Sequence, residues 1–337
     1  MTTPAPDFAH IAAMTDRYGT FEHADHAVPR REHGYCVDDV ARLLVVAARE
    51  PQPSDEVREL ARGALQFVAD AQGGTGDCRN RRAADGRWRG RPTVEDCWGR
   101  SLWGLGTAAA EGDGAFAHEA LIHFERGAAR RSPHARAMAF AALGAAAVVS
   151  AHPRHERALD LLRDASDVVG TPGPATGWPW PEPRLTYANA VVPDAMMAAG
   201  SALARPALVA KGLELLEWLL DRETIDGHLS VTPVGGAGPG DSGRRFDQQP
   251  IEVATLADAC ARAATLSGSS RWVDGVRMAA AWFDADNDSA TVMWDPVTGG
   301  GYDGLEAHGP NRNQGAESTL ALLSTRQQAR LLAPVPA

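Results

Sequence analysis

The feature that most constrains the fold is an alternation between two kinds of helical segment along the chain. Alanine-rich segments that are apolar on most faces recur about every 40 to 65 residues, and each opens with polar residues. A helix of that kind is buried, whereas a helix with one apolar face packs on the outside of a core. The six apolar segments begin near residues 35–39, 94–96, 133–136, 187–189, 250–252 and 314–317.

Amphipathic segments separate these apolar ones. Five of them cover residues 55–71, 115–129, 155–169, 206–223 and 271–284, and residues 8–18 can supply a sixth. Six buried helices that alternate with six outer ones can close into a ring. We therefore predict an all-α protein, an (α/α)6 toroid that forms one domain over residues 1–337, with sheet confined to short hairpins in the loops.

Loop lengths place a functional face on this ring. Connections from inner to outer helices are short, whereas five connections from outer to inner helices are long and rich in Gly, Pro, Trp and Arg. These long loops cover residues 19–37, 73–93, 170–186, 226–249 and 285–313. They must emerge where the inner helices begin, and long loops in a compact domain usually carry function. The positive ends of the inner helix dipoles point to the same face.

Composition excludes several classes of function. The formal net charge of −10 argues against a nucleic-acid partner, which needs a basic face. No apolar run reaches membrane-spanning length, so we expect no membrane span. The four cysteines form neither a CxxC pair nor a zinc spacing, and we expect no metal and no cofactor. The first residues lack the features of a secretory signal, so we expect a cytoplasmic location.

Acidic residues open four of the six inner segments. Helix capping explains each of them taken alone. Their convergence on one funnel favours a dedicated acidic site, because glycoside hydrolysis needs one protonated and one ionised carboxyl, and crowding raises the pKa of one of them. We predict that the catalytic residues are Asp39, Glu95, Glu252 and Glu317, supported by Asp38, Asp96 and Asp247.

Neutral polar and aromatic residues lie beside these acids in the sequence. Amides, hydroxyls and a guanidinium group can orient a polyol, and an indole face can stack on a sugar ring. A hydrogen bond within a loop or a place in the core is the alternative for each of them. The predicted substrate-binding set is His33, Tyr35, Asp38, Asp96, Trp98, Arg100, Trp178, Trp180, Tyr187, Asn189, Asp247, Gln248, Gln249, Asn313 and Gln314.

Residues 79–91 are a local exception to the acidic charge, since six arginines surround Trp88 there. The segment precedes the inner helix that opens with Glu95, so we expect it to overhang the funnel. Its arginines can pair with an acid of the site or bind an anionic group on a ligand. A solvated surface loop is the alternative.

Four strings resemble a bacterial family of largely uncharacterised proteins that occur alone or attached to glycosyltransferase domains of the two-Rossmann type. The strings cover residues 33–39, 95–100, 246–252 and 313–319. The resemblance implies a toroid similar to six-hairpin glycosidases and sugar epimerases, and a glycosyltransferase as a further partner. This chain departs from the family pattern at Ala188, where the family has an aspartate before the asparagine.

The leading hypothesis is a glycoside hydrolase that acts on an oligosaccharide or glycoconjugate. Inverting chemistry is favoured because toroids of this shape commonly use it. One alternative is a sugar epimerase or isomerase, for which His33 and His308 would supply the acid and the base. The other is a non-catalytic glycan-binding or glycosyltransferase-associated domain, which the Ala188 departure favours.

Overall fold

Helices dominate residues 5–170 and 177–332, which are the residues that the computed structural model describes. Part of the predicted long loop over residues 170–186 therefore lies outside the described residues. The helices, in chain order, are α1 (Ala9–Ala13), α2 (Val37–Ala48), α3 (Asp55–Ala71), α4 (Asp96–Glu111), α5 (Gly114–Gly127), α6 (Ala135–Ala151), α7 (Glu156–Val168), α8 (Val191–Ala202), α9 (Pro206–Arg222), α10 (Pro250–Ser267), α11 (Ser270–Phe283) and α12 (Ala316–Leu331).

The even-numbered helices form a closed inner ring. Each packs on the next, from α2 through α4, α6, α8 and α10 to α12, and α12 packs on α2. The odd-numbered helices lie outside: α3, α5, α7, α9 and α11 each pack on the inner helix that precedes them, and α1 packs on α12. This arrangement confirms the predicted (α/α)6 toroid.

Most residues of the inner helices are buried, as their place in the ring requires. In α6 the buried residues include Met138, Phe140, Leu143 and most of the alanines. Glycines let neighbouring helices approach closely. A Cβ atom on Gly144 of α6 would meet the carbonyl group of Leu102 in α4, and one on Gly99 would meet the backbone of Ala137. Small residues therefore set the spacing between α4 and α6.

Helix α1 is shorter than the predicted outer helix over residues 8–18. It ends at Ala13, and the chain turns back in a hairpin. The Thr15 hydroxyl donates to the carbonyl of Ile11 at 2.7 Å and lies 2.8 Å from the Thr20 hydroxyl. Such side-chain bonds compete with helix extension. The sixth outer position is thus filled by one short helix and a hairpin.

Strands in the described residues are short, antiparallel and confined to loops, as predicted. They are β1 (Thr15–Asp16), β2 (Gly19–Thr20), β3 (Ala24–Asp25), β4 (Val28–Pro29), β5 (Tyr35–Cys36), β6 (Arg81–Arg82), β7 (Trp88–Arg89), β8 (Thr224–Ile225), β9 (His228–Leu229), β10 (Gly304–Glu306) and β11 (Gly309–Asn311). The order β5–β6–β7 joins the start of α2 to the arginine-rich loop, and the other pairs are two-stranded hairpins. No described helix is long and apolar enough to cross a membrane.

Candidate active site

A cavity of about 330 Å³ lies where α2, α10 and α12 begin, and we call it the acidic cavity. It is lined by Glu22, His23, Cys36, Asp38, Asp39, Arg81, Asp247, Gln249, Asp303, Asn311, Gly315, Glu317 and Ser318. Six of these residues carry a carboxyl group, whereas one arginine and one histidine accompany them. Acid/base chemistry is therefore the property that its lining supports.

Two of the carboxyl groups share one guanidinium. Arg42 Nη1 donates to Asp39 Oδ1, and Arg42 Nη2 donates to Glu317 Oε2, both at 2.9 Å. The Asp39 side chain is 6% exposed and that of Glu317 is 41% exposed. Burial raises the pKa of Asp39, and the Arg42 charge opposes the shift. One cation thus balances two acids, and Glu317 is the one that reaches open space.

Asp38 lies beside them on the first turn of α2. Its Oδ1 atom is 3.8 Å from Arg100 Nε and has no hydrogen-bond partner among the described residues. Burial raises the pKa of Asp38, whereas Arg100 and Arg42 lower it. Arg100 is itself buried and stacks on Phe140 at 4.3 Å. Arg100 therefore supplies buried positive charge behind the cavity wall.

Asp247 differs from these acids because no cation accompanies it among the described residues. Burial raises the pKa of Asp247 to about 6, and the negative charges of Glu306 and Asp303 act in the same direction. Its Oδ1 atom is buried without a hydrogen-bond partner in the described structure. Gly304 of β10 packs directly against this carboxyl group, where a Cβ atom would collide with it. Asp247 is thus a carboxyl group in the cavity lining with a pKa raised to about 6.

Sequence reasoning missed two acids of the cavity, Glu22 and Asp303. Both lie in long loops and not at helix starts, so the capping pattern gave no signal for them. The Glu22 carbonyl accepts from the Ala316 amide at 3.0 Å, and Asp303 Oδ1 accepts from the Gly315 amide at 2.8 Å. Both loops are therefore fixed to the start of α12. Burial raises the pKa of Asp303.

A second pocket of about 470 Å³ adjoins the acidic cavity, and we call it the cationic pocket. Its lining residues are Glu22, His23, His33, Asn80, Arg81, Arg82, Arg89, Gly90, Arg91, Thr93 and Glu95. The two spaces share Glu22, His23 and Arg81. Residues 79–91 therefore overhang the site, and four of their arginines line this pocket.

A third pocket of about 590 Å³ continues from the cationic pocket toward α6 and α8. Asn80 and Glu95 line both spaces. In the third pocket the Tyr187 hydroxyl donates to Asp96, and the Arg136 guanidinium lies 2.9 Å from Glu182. Burial, with the bond to Asp96, raises the pKa of Tyr187. The exposed Glu95 therefore lies on the rim, outside the acidic cavity.

Glu252 lies outside the lining of all three spaces. It is buried, and its carboxyl group accepts from the backbone amides of Ala188 and Asn189 and from Asn189 Nδ2, the last two at 3.0 Å. Burial raises the pKa of Glu252 to about 7, and these bonds oppose the shift. The structure thus places Glu252 as a support for the turn before α8. Ala188 takes part through its backbone, at a φ of 46°.

Several predicted sugar-binding residues belong to the core. Trp98, Trp180, Tyr35, Asn189, Gln248 and Gln314 are all buried. The Trp98 indole donates to the Gly127 carbonyl at 3.1 Å, and Trp180 stacks on Trp218. Trp178 packs edge-on against Trp218 and donates to the Glu182 carbonyl at 2.8 Å. Their contacts are with the protein, and of the predicted aromatic platforms only Tyr187 lines one of the three spaces.

The remaining predicted residues divide between the rim and the outside. Gln249 lines the acidic cavity, and His33 lines the cationic pocket. Asn313 accepts the amide of His26 at 3.0 Å. His308 is exposed at the turn of the β10–β11 hairpin. His33 and His308 therefore do not line a common space among the three; the His33 ring packs edge-on against His23, with the ring centroids 4.9 Å apart.

Three potential metal ligands also meet in the acidic cavity. Single atoms of Glu22, Cys36 and Asp39 lie within 4.8 Å of one another. Arg81 already pairs with Glu22, and Arg42 pairs with Asp39. Because guanidinium groups balance both carboxyl groups, we assign no metal to this cluster.

Comparisons with known proteins identify the architecture. No model of a known protein family matches the sequence, and no curated protein matches it significantly. A sugar epimerase from a ruminal bacterium matches the fold with a TM-score of 0.70 at 12% identity, over 95% of each chain. Cellobiose 2-epimerase from Spirochaeta thermophila DSM 6192 gives 0.67 at 12% identity, over 96% of this chain and 94% of that one.

Hydrolases of similar shape match as well. The cellulase Cel9M of C. cellulolyticium, solved in complex with cellobiose, gives a TM-score of 0.62 at 7% identity, over 93% of this chain and 87% of that one. Identities this low establish the fold alone. The structural matches confirm that the fold is similar to that of six-hairpin glycosidases and sugar epimerases, and the chain is a six-hairpin (α/α)6 toroid.

Proposed function

We propose that this protein is a carbohydrate-active enzyme that hydrolyses a glycosidic bond with two carboxyl groups of the acidic cavity, Asp247 and Glu317. The observation that carries the proposal is the contrast between them. Asp247 has a pKa raised to about 6 and, in the described part of the chain, no cationic partner, whereas Glu317 is ion-paired with Arg42. Glycoside hydrolysis requires such a pair, one protonated and one ionised.

In this mechanism Asp247 gives its proton to the glycosidic oxygen as the bond from that oxygen to the anomeric carbon breaks. Glu317 accepts a proton from a water molecule that attacks the anomeric carbon from the opposite side. Arg42 binds one Glu317 oxygen, Oε2, so the other oxygen remains available to the water. Both groups then return to their starting states by proton exchange with solvent. This is the inverting course, and it predicts a product sugar of inverted configuration.

This assignment revises the roles of the four acids that the sequence singled out. Glu317 remains the proposed base, and Asp247, first a supporting residue, becomes the proposed acid. Asp39 is almost fully buried on the Arg42 guanidinium, and we assign it the task of holding that group. Glu95 on the rim and Glu252 beneath α8 receive no catalytic role in the proposal.

A panel of oligosaccharides incubated with the purified protein, with products separated by chromatography, tests the proposal. On any substrate that is cleaved, Asp247→Asn and Glu317→Gln should each lower kcat by about 10²- to 10⁴-fold, because each removes a positioned proton donor or acceptor. Asp274→Asn, on the outer face of α11, is the matched control and should keep full activity. Full activity in both cavity variants would refute the assignment.

Epimerisation is the second candidate, and two observations favour it. The imidazole of His23 lies in the cavity wall in contact with His33, and two sugar epimerases share the fold over nearly the whole chain. An epimerase exchanges a proton of the sugar with solvent without changing its length. Deuterium uptake from D₂O into an uncleaved sugar, lost in His23→Ala, would replace the hydrolase proposal with this one.

Of the partners that the sequence suggested, only the sugar substrate becomes part of the proposal. We propose an oligosaccharide or glycoconjugate as the substrate, because the acidic cavity has a polar lining and a volume of about 330 Å³, which suits the sugar unit on one side of the cleaved bond. The glycosyltransferase partner and the cytoplasmic location stay predictions. Co-purification with a glycosyltransferase, and fractionation of the cells that produce the protein, would test each of them.

A further inference from the structure

We propose that the cationic pocket binds the anionic group, phosphate or carboxylate, of an acidic sugar whose ring lies in the acidic cavity. The inference rests on the proposed function, because it assigns the substrate class of that same site. It concerns binding, however, and can be tested without turnover.

Two arginines of the pocket are available for such a group. Arg89 and Arg91 are exposed, and among the described residues neither has an ion-pair partner. The other arginines of the pocket are already bound. Arg81 pairs with Glu22, and Arg82 donates to the carbonyls of Tyr18 and Gly86 at 3.2 and 2.8 Å. The pocket therefore has two guanidinium groups that the protein does not use internally.

The charge of the pocket contrasts with that of its neighbour. Four arginines line the cationic pocket against two carboxyl groups, whereas six carboxyl groups line the acidic cavity. The whole chain carries a formal charge of −10, so this concentration of arginine is local. An anionic group would be repelled by the carboxylates of the cavity and attracted by Arg89 and Arg91. The charge pattern thus fixes one orientation for a ligand that spans both spaces.

Continuity between the two spaces makes such a ligand possible. Glu22, His23 and Arg81 line both of them. Asn80 and Thr93 add an amide and a hydroxyl on the cationic side. A planar guanidinium binds a carboxylate or phosphate through two parallel hydrogen bonds, which are stronger than those between neutral groups. A sugar ring placed beside Asp247 and Glu317 could therefore carry its acidic substituent toward Arg89 and Arg91.

Calorimetric binding to matched sugars tests the inference. Glucose, mannose and galactose are each compared as the neutral sugar, the 6-phosphate and the uronate, with inorganic phosphate as a separate ligand. At least one acidic form should bind about tenfold or more tightly than its neutral parent, because charge-assisted hydrogen bonds exceed neutral ones. That advantage should shrink as NaCl is raised from about 50 to 500 mM.

Variants of Arg89 and Arg91 test whether these two residues cause the preference for the acidic sugar. The double variant Arg89→Gln with Arg91→Gln should remove the preference, so that the acidic sugar binds no more tightly than its neutral parent. Arg154→Gln, an exposed arginine outside the three spaces, is the matched control and should keep the preference. Circular dichroism and melting temperature confirm that each variant is folded.

The outcomes separate this inference from the proposed function. No preference for any acidic sugar, or a preference that survives in the double variant, would overturn the inference while the roles of Asp247 and Glu317 stand. If inorganic phosphate bound as tightly as the acidic sugars, the claim that a sugar carries the anionic group would be wrong. A preference that depends on Arg89 and Arg91 supports the inference even where no glycosidic bond is cleaved.

Discussion

At the scale of single residues, Asp247 makes the most direct prediction. As a proton donor with a pKa of about 6, it is active only while protonated. We expect kcat/KM of the wild type to fall about tenfold per pH unit above pH 6. Rate measurements from pH 4.5 to 8.5 on a cleaved substrate check this. The residual activity of Asp247→Asn should lack this limb, and a wild-type rate that is flat up to pH 8 would exclude Asp247 as the donor.

The same carboxyl group should cost stability. The carboxyl group has a pKa of 3.8 in the unfolded chain and about 6 in the folded protein. Between these pH values the folded state therefore binds more protons than the unfolded state. Stability therefore falls as the pH rises through this window, and the penalty is fully present above pH 6. After allowance for solvent screening of a half-buried group, Asp247→Asn should gain about 1 kcal/mol at pH 7.5.

Urea unfolding at pH 7.5 and pH 4.5 measures this gain. The difference between wild type and Asp247→Asn should be largest at pH 7.5 and shrink at pH 4.5, because the wild-type carboxyl group then becomes protonated as well. A variant that loses activity and gains stability would be typical of a functional carboxyl group. If wild type and Asp247→Asn had the same free energy of unfolding at both pH values, burial of the ionised Asp247 carboxyl group would not cost stability.

The sequence predicted part of the candidate site for a physical reason. Acids in the first turns of α2 and α12 face the mouth of the ring, so Asp38, Asp39 and Glu317 could be predicted from the helix pattern together with the loop lengths. Glu252 has the same kind of position on α10 but binds amides of the neighbouring turn. Neighbouring loops determine whether a carboxyl group at a helix start faces the cavity or binds a nearby turn. The sequence pattern does not contain that information.

At the scale of elements, Glu252 should act through the start of α8. Glutamine in its place would turn one NH₂ group toward the amide donors of Ala188 and Asn189, and at least one of them would lose its acceptor. We expect Glu252→Gln to lower the free energy of unfolding by about 1–3 kcal/mol. Glu59→Gln, on the exposed side of α3, is the control.

Denaturant unfolding at pH 6 and pH 8 gives the comparison. Burial penalises the ionised carboxylate, whose pKa is raised to about 7 in the folded protein, so the loss of stability in Glu252→Gln should be larger at pH 6 than at pH 8. If Glu252→Gln kept wild-type stability and lost turnover, the residue would be part of the chemistry, as the sequence first indicated. A loss of stability with turnover retained in the folded fraction would support its role beneath α8.

Close helix packing makes a prediction about two glycines. Gly144 of α6 lies against the carbonyl group of Leu102, so Gly144→Ala forces α4 and α6 apart and should cost about 1–3 kcal/mol. Gly63 of α3 has nothing within 4 Å of an added Cβ atom. Gly63→Ala should therefore stabilise the protein by about 0.5–1 kcal/mol through helix propensity. Denaturant midpoints of the two variants, measured side by side, check the opposite signs.

The elements themselves were largely predictable because the buried helices have an unusual composition. A segment such as α6, which is alanine-rich and apolar on nearly every face, suits only a ring of helices surrounded by others. The end of α1 was not predictable in the same way. Side-chain hydrogen bonds of Thr15 decide it, and they depend on a hairpin that returns beside the helix.

At the scale of the whole molecule, the prediction of a single domain over residues 1–337 can be tested directly. One contiguous apolar core extends through the described helices. If the toroid is one cooperative unit, far-UV circular dichroism and tryptophan fluorescence should report the same denaturant midpoint. The nine tryptophans lie in both halves of the chain, so the fluorescence samples the ring broadly. Two separated midpoints would divide the chain into independent units.

Closure of the ring between α12 and α2 has a consequence for the protein during its synthesis. Arg42 and Glu317 meet across 275 residues of sequence, so α2 leaves the ribosome long before its partner exists. A nascent chain lacks one wall of the acidic cavity until α12 has emerged and docked. The proposed site is therefore complete only after α12 has been made and has docked on α2.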